Sequence, residues 1–271
     1  MSIKTWKNGT VKVDNTIIDY IVFGKGTTPL VILPGLGDGL KSAKGTAFPF
    51  SIMYRELGKC YRVYAISRRR VIPKGFTTKN IAEDVNYVMS QLGITNANVF
   101  GASMGGMIAQ HLVISHPEKV KSLILCVTTK ELGEETKNIV KHWNNLAEQG
   151  QYKEFMLDMA EKIYSEKYFN KRKWMYKLMG SFAVPKSWDN YYAQTEACFT
   201  HNSREGLSEI SCPTLIIGGN LDQVIPVEAS KELSEAIPNS KLYIYPNYGH
   251  GAFEEDKKFQ KLIIAFYESN S

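Results

Sequence analysis

The sequence predicts an α/β protein built on a parallel, doubly wound sheet whose two faces are covered by helices. Short apolar strands alternate with amphipathic helices along most of the chain, which is the pattern of such a sheet. The length of 271 residues, 44% of them hydrophobic, suits one large core with an insertion, or two small domains. A Gly-x-Ser-x-Gly motif also lies between an apolar strand and an apolar helix.

The predicted elements follow this alternation from the amino terminus. Two strands flanking Asp14-Asn15 predict a β-hairpin. One helix is marked well, because Thr77 or Thr78 can cap it and Ile81 to Leu92 carry a single apolar stripe at helical spacing. The predicted strands are 11–13, 17–23, 30–33, 62–66, 97–100, 122–127, 213–217 and 242–245, and the other predicted helices are 48–57, 106–114, 226–237 and 253–268.

The stretch 130–205 breaks the alternation and predicts a helical lid. It contains no convincing strand, and it is rich in helical patterning and in large apolar side chains. These are Trp143, Phe155, Met156, Met159, Tyr164, Trp174, Met175, Met179, Phe182, Trp188, Tyr191, Tyr192 and Phe199. A small helical insert cannot bury so many against itself, so we expect some to face a pocket. The predicted core is therefore 1–129 together with 206–271.

The charge pattern argues against a nucleic-acid partner. The formal net charge is +6, and no long basic run is interleaved with aromatic residues. We expect the densest basic runs to form solvated surface. These runs are Arg68-Arg69-Arg70 and Lys171-Arg172-Lys173. The arginines end a predicted strand near the expected site, so contact with an anionic group is the less favoured alternative. The oligomeric state is not indicated by the sequence.

The cysteines and the terminal segment favour a cytoplasmic protein without a metal or an organic cofactor. Cys60, Cys126, Cys198 and Cys212 are scattered and lack the spacing of a zinc site or a disulfide framework. The first residues lack the apolar core of a signal peptide. No apolar run approaches the roughly 18 residues that a membrane span requires.

Ser103 is the candidate nucleophile. In Gly101-Ala102-Ser103-Met104-Gly105 the turn from strand to helix is tight enough that a side chain at 101 or 105 would strike a neighbouring element. A serine at its ordinary pKa is a poor nucleophile. It needs a histidine as base and a buried carboxylate that orients the histidine.

Asp222 and His250 are the candidate partners, because each follows a predicted strand. The carboxyl ends of parallel strands meet at one edge of a sheet, which places both beside Ser103. Taken alone, Asp222 could cap the helix that begins near Pro226, and His250 could be an ordinary loop histidine. Glu131 is the rival acid. The remaining histidines, His111, His116, His142 and His201, are placed less well.

Two backbone N–H groups are candidate oxyanion donors. Met104 N–H opens the helix after Ser103, where the helix dipole favours negative charge. Leu36 N–H lies in the glycine-rich loop 34–39, where Gly35 and Gly37 are expected to let the backbone approach closely. A phosphate-binding loop is excluded, because no Gly-Lys-Ser/Thr follows.

Nearly the whole chain resembles the α/β-hydrolase superfamily. The resemblance is to the small members of that superfamily that carry a lid after the sixth strand. The resemblance rests on Leu33-Pro34-Gly35, on 101–106, on 219–226 and on Gly249-His250. It implies Ser103 as nucleophile, Asp222 as orienting acid and His250 as base. It also implies about eight strands, antiparallel only near the start.

The chain departs from the usual pattern of these hydrolases at three places. Ala102 stands where histidine is common, so we expect no extra polar group to support the turn at Ser103. Pro34 stands where many members have histidine, and 67–76 replaces a common Asp-x-x-Gly-x-Gly-x-Ser stretch. These departures weaken any transfer of substrate preference.

The expected activity is hydrolysis of a small or medium carboxylic ester, or thioester, through an acyl-enzyme on Ser103. The expected partner is a small acyl substrate with an apolar portion. Serine at 103 argues against dehalogenase and epoxide hydrolase chemistry, which use a carboxylate nucleophile. The alternatives are acyl transfer or C–C bond hydrolysis with the same three residues, and a non-catalytic ligand sensor.

Overall fold

An eight-stranded sheet forms the centre of the protein. The structure is a computed structural model that describes residues 6–182 and 184–270. The strands are β1 (Trp6–Val13), β2 (Thr16–Phe23), β3 (Pro29–Leu33), β4 (Arg62–Arg69), β5 (Ala97–Ala102), β6 (Val120–Cys126), β7 (Thr214–Gly219) and β8 (Ser240–Tyr245). Their order is β1-β2-β4-β3-β5-β6-β7-β8. Among the strand pairs of this sheet in the described residues, only those involving β2 are antiparallel, so the prediction of a mostly parallel sheet is confirmed.

The helices cover both faces of this sheet. They are α1 (Ala47–Met53), α2 (Arg55–Cys60), α3 (Thr78–Gln91), α4 (Met104–Ser115), α5 (Glu134–Glu148), α6 (Tyr152–Ile163), α7 (Glu166–Phe182), α8 (Asp189–Phe199), α9 (Val227–Ala236), α10 (Ala252–Glu255) and α11 (Phe259–Glu268). Thr77 caps α3, and its hydroxyl and the Asn80 side chain form a capping box. No helix in the described ranges is long and apolar enough to cross a membrane.

Two predicted helices are interrupted. The one expected at 48–57 divides into α1 and α2 at Tyr54, which leaves the helical conformation with φ −105° and ψ 36°. The one expected at 253–268 divides into α10 and α11 at Asp256. That carboxylate accepts hydrogen bonds from the Tyr245 hydroxyl, at 2.8 Å, and from the Lys258 N–H, at 3.0 Å. A side chain that bonds the backbone in this way favours the start of a new helix over continuation of the old one.

Two apolar clusters pack against opposite faces of the sheet. β5 and β7 are buried along their whole lengths, as expected for central parallel strands covered on both faces. The residues described between 130 and 205 form α5 to α8, and α8 packs on the 3-10 turn Leu36–Gly39. The division into core and lid stays a prediction, and the structure adds that α8 adjoins the loop after β3.

Candidate active site

Ser103 occupies a strained turn between β5 and α4. Its backbone has φ 53° and ψ −122°, in the left-handed region that a serine adopts rarely. A Cβ atom at Gly105 would lie 1.9 Å from the Leu33 carbonyl oxygen, and one at Gly101 would lie 2.5 Å from the Gly105 oxygen. The predicted steric reason for both glycines is confirmed. The turn therefore holds the Ser103 side chain at the carboxyl edge of the sheet.

Thr128 supports the turn at Ser103. The sequence predicts no such support, because Ala102 stands where histidine is common in these hydrolases. The Thr128 hydroxyl donates a hydrogen bond of 2.8 Å to the Ser103 carbonyl oxygen. A Cβ atom at Gly106 would lie 2.6 Å from the Thr128 side chain, so that glycine lets Thr128 approach. The expectation was wrong because the support comes from the loop after β6, which no motif in the sequence marks.

Asp222 and His250 are directly hydrogen-bonded. The Nδ1 atom of the ring lies 2.8 Å from Asp222 Oδ2, and the two side chains are 7% and 1% exposed. An ionised carboxylate only accepts hydrogen bonds, so this contact assigns the proton to Nδ1 and leaves Nε2 free to act as a base. The other oxygen, Oδ1, accepts the N–H groups of Val224 and Ile225, at 2.8 and 2.9 Å. Asp222 does not cap α9, which begins at Val227 after Pro226.

The rival residues are engaged elsewhere. Glu131 forms an ion pair with Arg204. His116 bonds Glu83 at 2.8 Å, and His142 lies 3.9 Å from Asp158. The rings of His111 and His201 pack edge to face with centroids 5.1 Å apart. In the part of the chain that the structure describes, none of these four histidines borders the cavity described next.

Ser103 and His250 border one cavity of about 520 Å³. Its wall is mainly apolar, and the segment 130–205 contributes Trp143, Met156, Met159 and Tyr164 to it. Trp174 and Phe182, from the same predicted set, are instead exposed by 68% and 82%. Within residues 6–182 and 184–270, no hydrogen bond joins the serine hydroxyl to the ring. Such catalytic contacts often tighten only when substrate binds.

The two predicted oxyanion donors border the same cavity. Leu36 begins the 3-10 turn after β3, and Met104 is the first residue of α4. In the described residues, neither N–H group donates to another protein atom. A Cβ atom at Gly35 would come within 3.4 Å of Ser103 Cβ, as expected for a close approach. A Cβ atom at Gly37 would meet no protein atom within 4 Å, so the expectation for Gly37 stays a prediction.

The arginines at the end of β4 are structural, so both interpretations from the sequence are wrong for Arg68 and Arg69. Arg68 is 4% exposed, and its guanidinium donates to the Pro34 carbonyl oxygen. Arg69 forms two hydrogen bonds with Asp84, which hold the pKa of Arg69 above its usual value. Arg70 pairs with Asp19 at 2.7 Å. None of the three arginines is among the described residues that line the cavity.

One cavity residue, Glu254, escaped the sequence analysis, which named its partner Tyr164 only as one of the large side chains of the lid. The tyrosine hydroxyl donates a hydrogen bond of 2.5 Å to Glu254 Oε2. Desolvation by the surrounding protein raises the pKa of Glu254, and burial together with the nearby Glu254 charge raises the pKa of Tyr164. The position of Glu254, four residues after His250 on the next helix, is the signal that could have identified it.

Metal-ligand side chains do not converge in the described residues. No group of three or more His, Cys, Asp and Glu residues in that part of the chain is arranged to hold an ion. All four cysteines are unpaired, and Cys126 is fully buried.

Comparison with known proteins identifies the family of the chain. A model of the α/β-hydrolase fold family matches residues 28–257. The chain belongs to the α/β-hydrolase family. It is an enzyme of that class, with hydrolases among its relatives.

Two relatives and one solved structure illustrate the range of this family. The pimeloyl-[acyl-carrier protein] methyl ester esterase of Chromobacterium violaceum is 28% identical over 65% of this chain and 71% of its own length. A 2-hydroxy-6-oxononadienedioate/2-hydroxy-6-oxononatrienedioate hydrolase of Pseudomonas putida is 25% identical over 93% and 91%. MGS-M2, an α/β hydrolase from a deep-sea metagenome library, superposes with a TM-score of 0.84 at 23% identity, covering 96% of this chain and 97% of its own.

Proposed function

We propose that this hydrolase cleaves a small or medium carboxylic ester, or thioester, through an acyl-enzyme on Ser103. The observation that carries the proposal is the hydrogen bond between Asp222 and His250 at the wall of the cavity that Ser103 also borders. A buried carboxylate, an imidazole with a free Nε2 and a serine on a strained turn are the components of acyl transfer to serine.

In the proposed mechanism His250 Nε2 takes the proton of the Ser103 hydroxyl while the oxygen attacks the ester carbonyl carbon. The N–H groups of Leu36 and Met104 stabilise the oxyanion that forms. The C–O bond to the alcohol then breaks, and the imidazolium gives its proton to that alcohol. Water, activated by His250, attacks the acyl-enzyme and releases the acid and Ser103. Asp222 stays ionised and stabilises the imidazolium in both halves of the reaction.

The cavity supports a small substrate with an apolar portion. Its volume of about 520 Å³ lies in the usual range for small-molecule sites, and Trp143, Met156 and Met159 supply apolar wall. The relative from C. violaceum is a methyl ester esterase, which supports an ester as the substrate. A cytoplasmic location and the absence of a nucleic-acid partner remain predictions from the sequence.

C–C bond hydrolysis by the same three residues is the second candidate. The match to the P. putida hydrolase over 93% of the chain favours it. Product analysis separates the candidates, because an ester yields an acid and an alcohol, whereas C–C cleavage yields an acid and a second carbon fragment. If the enzyme cleaves a 2-hydroxy-6-oxo acid and leaves esters intact, the second candidate replaces the first.

The proposal is tested with short p-nitrophenyl esters and a fluorophosphonate probe. We expect the wild-type enzyme to release nitrophenol and to become labelled, and Ser103→Ala to do neither. Ser181→Ala, at an exposed serine on α7, is the matched control and should behave as wild type. Equal rates in wild type and Ser103→Ala would refute the proposal.

A further inference from the structure

Glu254 places a carboxylate on the wall of a mainly apolar cavity, beside the candidate base. It lies on α10, four residues after His250 in the chain, and both residues border the cavity with Tyr164 and Phe253. The neighbouring Glu255 does not share this role. Its carboxylate bonds the backbone N–H of Ser165, at 2.8 Å, and the Ser165 hydroxyl. Glu255 therefore ties the histidine loop to the turn between α6 and α7, whereas Glu254 faces the space that a substrate would fill.

Only one of the two oxygens of the Glu254 carboxylate accepts a hydrogen bond from the described residues. Oε2 accepts the Tyr164 hydroxyl, whereas no hydrogen bond in the described residues reaches Oε1. The Glu254 side chain is exposed and borders the cavity, so a molecule bound there can reach Oε1. Desolvation by the surrounding protein also raises the pKa of this carboxyl. The other acidic residue on the wall, Asp38, differs because the Arg68 N–H already donates to it at 3.0 Å. Oε1 of Glu254 is therefore an acceptor that a molecule bound in the cavity can use.

We infer that Glu254 is a specificity-determining residue that binds a hydrogen-bond donor on the substrate, a protonated amine or a hydroxyl, through Oε1. This inference rests on the proposed function, because it concerns the substituent of an ester whose carbonyl meets Ser103. The same carboxylate repels a substituent that ends in a carboxylate, since two like charges would share one apolar wall. The preferred substrates are therefore amino- or hydroxy-substituted esters with an apolar spacer.

Four matched esters test the preference. They share one chain length and end in a methyl, a hydroxyl, an ammonium or a carboxylate group, and two such series place that end on the acyl or on the alcohol side. A hydrogen bond to a charged group is worth about ten- to hundredfold in affinity. In one series at least, we expect kcat/KM for the ammonium ester to exceed that of the methyl ester by this factor. The hydroxyl ester should lie between them and the carboxylate ester below all.

Three variants assign the preference to Glu254. In Glu254→Gln the amide oxygen can still accept the Tyr164 hydroxyl, so the fold is kept, but the advantage of the ammonium ester should fall to less than threefold. Tyr164→Phe leaves the carboxylate in place and should keep or enlarge that advantage. Glu118→Gln, at an exposed acid in the 3-10 turn Pro117–Lys119, is the matched control and should keep the wild-type ratios. Unchanged ratios in Glu254→Gln would overturn the inference.

A binding assay separates failure of this inference from failure of the proposed function. An apolar fluorescent probe is bound in the cavity of the wild-type enzyme and displaced by hexylamine, hexanol or hexanoate. We expect hexylamine to compete at least tenfold better than hexanoate, and Glu254→Gln to abolish the difference. If no ester is cleaved but hexylamine still competes better than hexanoate, the proposed function is refuted. The inference that Glu254 binds a hydrogen-bond donor then still holds, and we call this site the donor subsite. Equal competition by the three compounds refutes the donor subsite whatever the catalysis.

Discussion

Two side-chain clusters lie at the carboxyl edge of the sheet. One forms part of the candidate active site, and the other forms ion pairs within the fold. After β7 and β8, Asp222 and His250 bond each other, and His250 borders the cavity beside Ser103. At the end of β4, Arg69 is held by Asp84 and Asp14, and Arg70 by Asp19. Both clusters are placed by the rule that parallel strands end together. The histidine keeps one ring nitrogen free, whereas the arginines are occupied by protein acceptors.

This difference shows that the end of a strand predicts where a side chain lies, but it does not predict whether that side chain takes part in catalysis. A polar side chain becomes available for chemistry when its internal partners leave one atom unused. His250 meets that condition because Asp222 bonds Nδ1 of the ring, whereas no hydrogen bond in the described residues reaches Nε2. Arg69 fails it, since Nε and Nη2 donate to Asp84 and Nη1 donates to Asp14. Predictions that separate activity from stability therefore test the comparison.

The largest expected effect is on activity, in Asp222→Asn. We expect kcat for ester hydrolysis to fall by about 10⁴-fold, because an amide that donates to Nδ1 selects the tautomer whose Nε2 cannot accept the Ser103 proton. The free energy of unfolding should change by less than about 1 kcal/mol, because the amide oxygen can still accept the N–H groups of Val224 and Ile225. Steady-state kinetics and urea unfolding measure the two quantities. A tenfold loss or less would mean that the carboxylate serves the loop alone.

The second effect is the reverse, in Arg69→Met. Asp84 would stay buried without its cation, and the free energy of unfolding should fall by about 3–5 kcal/mol. Activity per folded molecule should stay within about threefold, because Arg69 does not border the cavity. Lys59→Met is the control: Lys59 pairs with Glu56 while 66% exposed, and its loss should cost less than about 1 kcal/mol. Similar losses of stability in both variants would remove the distinction between the clusters.

The sheet and the placement of the acid–histidine pair were predictable because they depend on local patterns. Strand ends are visible as apolar runs followed by glycine and polar residues, which brought Asp222 and His250 to one edge. The burial of Arg68 was not predictable, because an arginine run reads as solvated until its acceptors are known. Thr128 and Glu254 were missed for a related reason. Their partners, Ser103 and Tyr164, lie 25 and 90 residues away in the chain.

The smallest expected effect concerns His201, a buried polar residue outside both clusters. Its Nδ1 atom lies 2.9 Å from the Thr78 hydroxyl, His111 faces its ring, and in the described residues Nε2 has no partner. Burial, together with His111, lowers the pKa of His201 to about 3. The unfolded chain binds a proton near pH 6.5, where the folded chain does not. The stability associated with a neutral His201 is therefore complete above that pH and is lost as the pH falls toward 3.

Urea unfolding at pH 7 and pH 4.5 tests this sign. Between these two values His201 should remove about 2–3 kcal/mol from the wild-type free energy of unfolding. In His201→Gln that part of the loss should disappear, although titration of carboxylates still contributes equally to both proteins. His142→Gln, at a histidine whose side chain is 50% exposed, should keep the wild-type pH dependence. If His201→Gln loses as much stability as wild type between the two pH values, then His201 becomes protonated within the folded enzyme at an ordinary pKa, and its burial carries no energetic penalty.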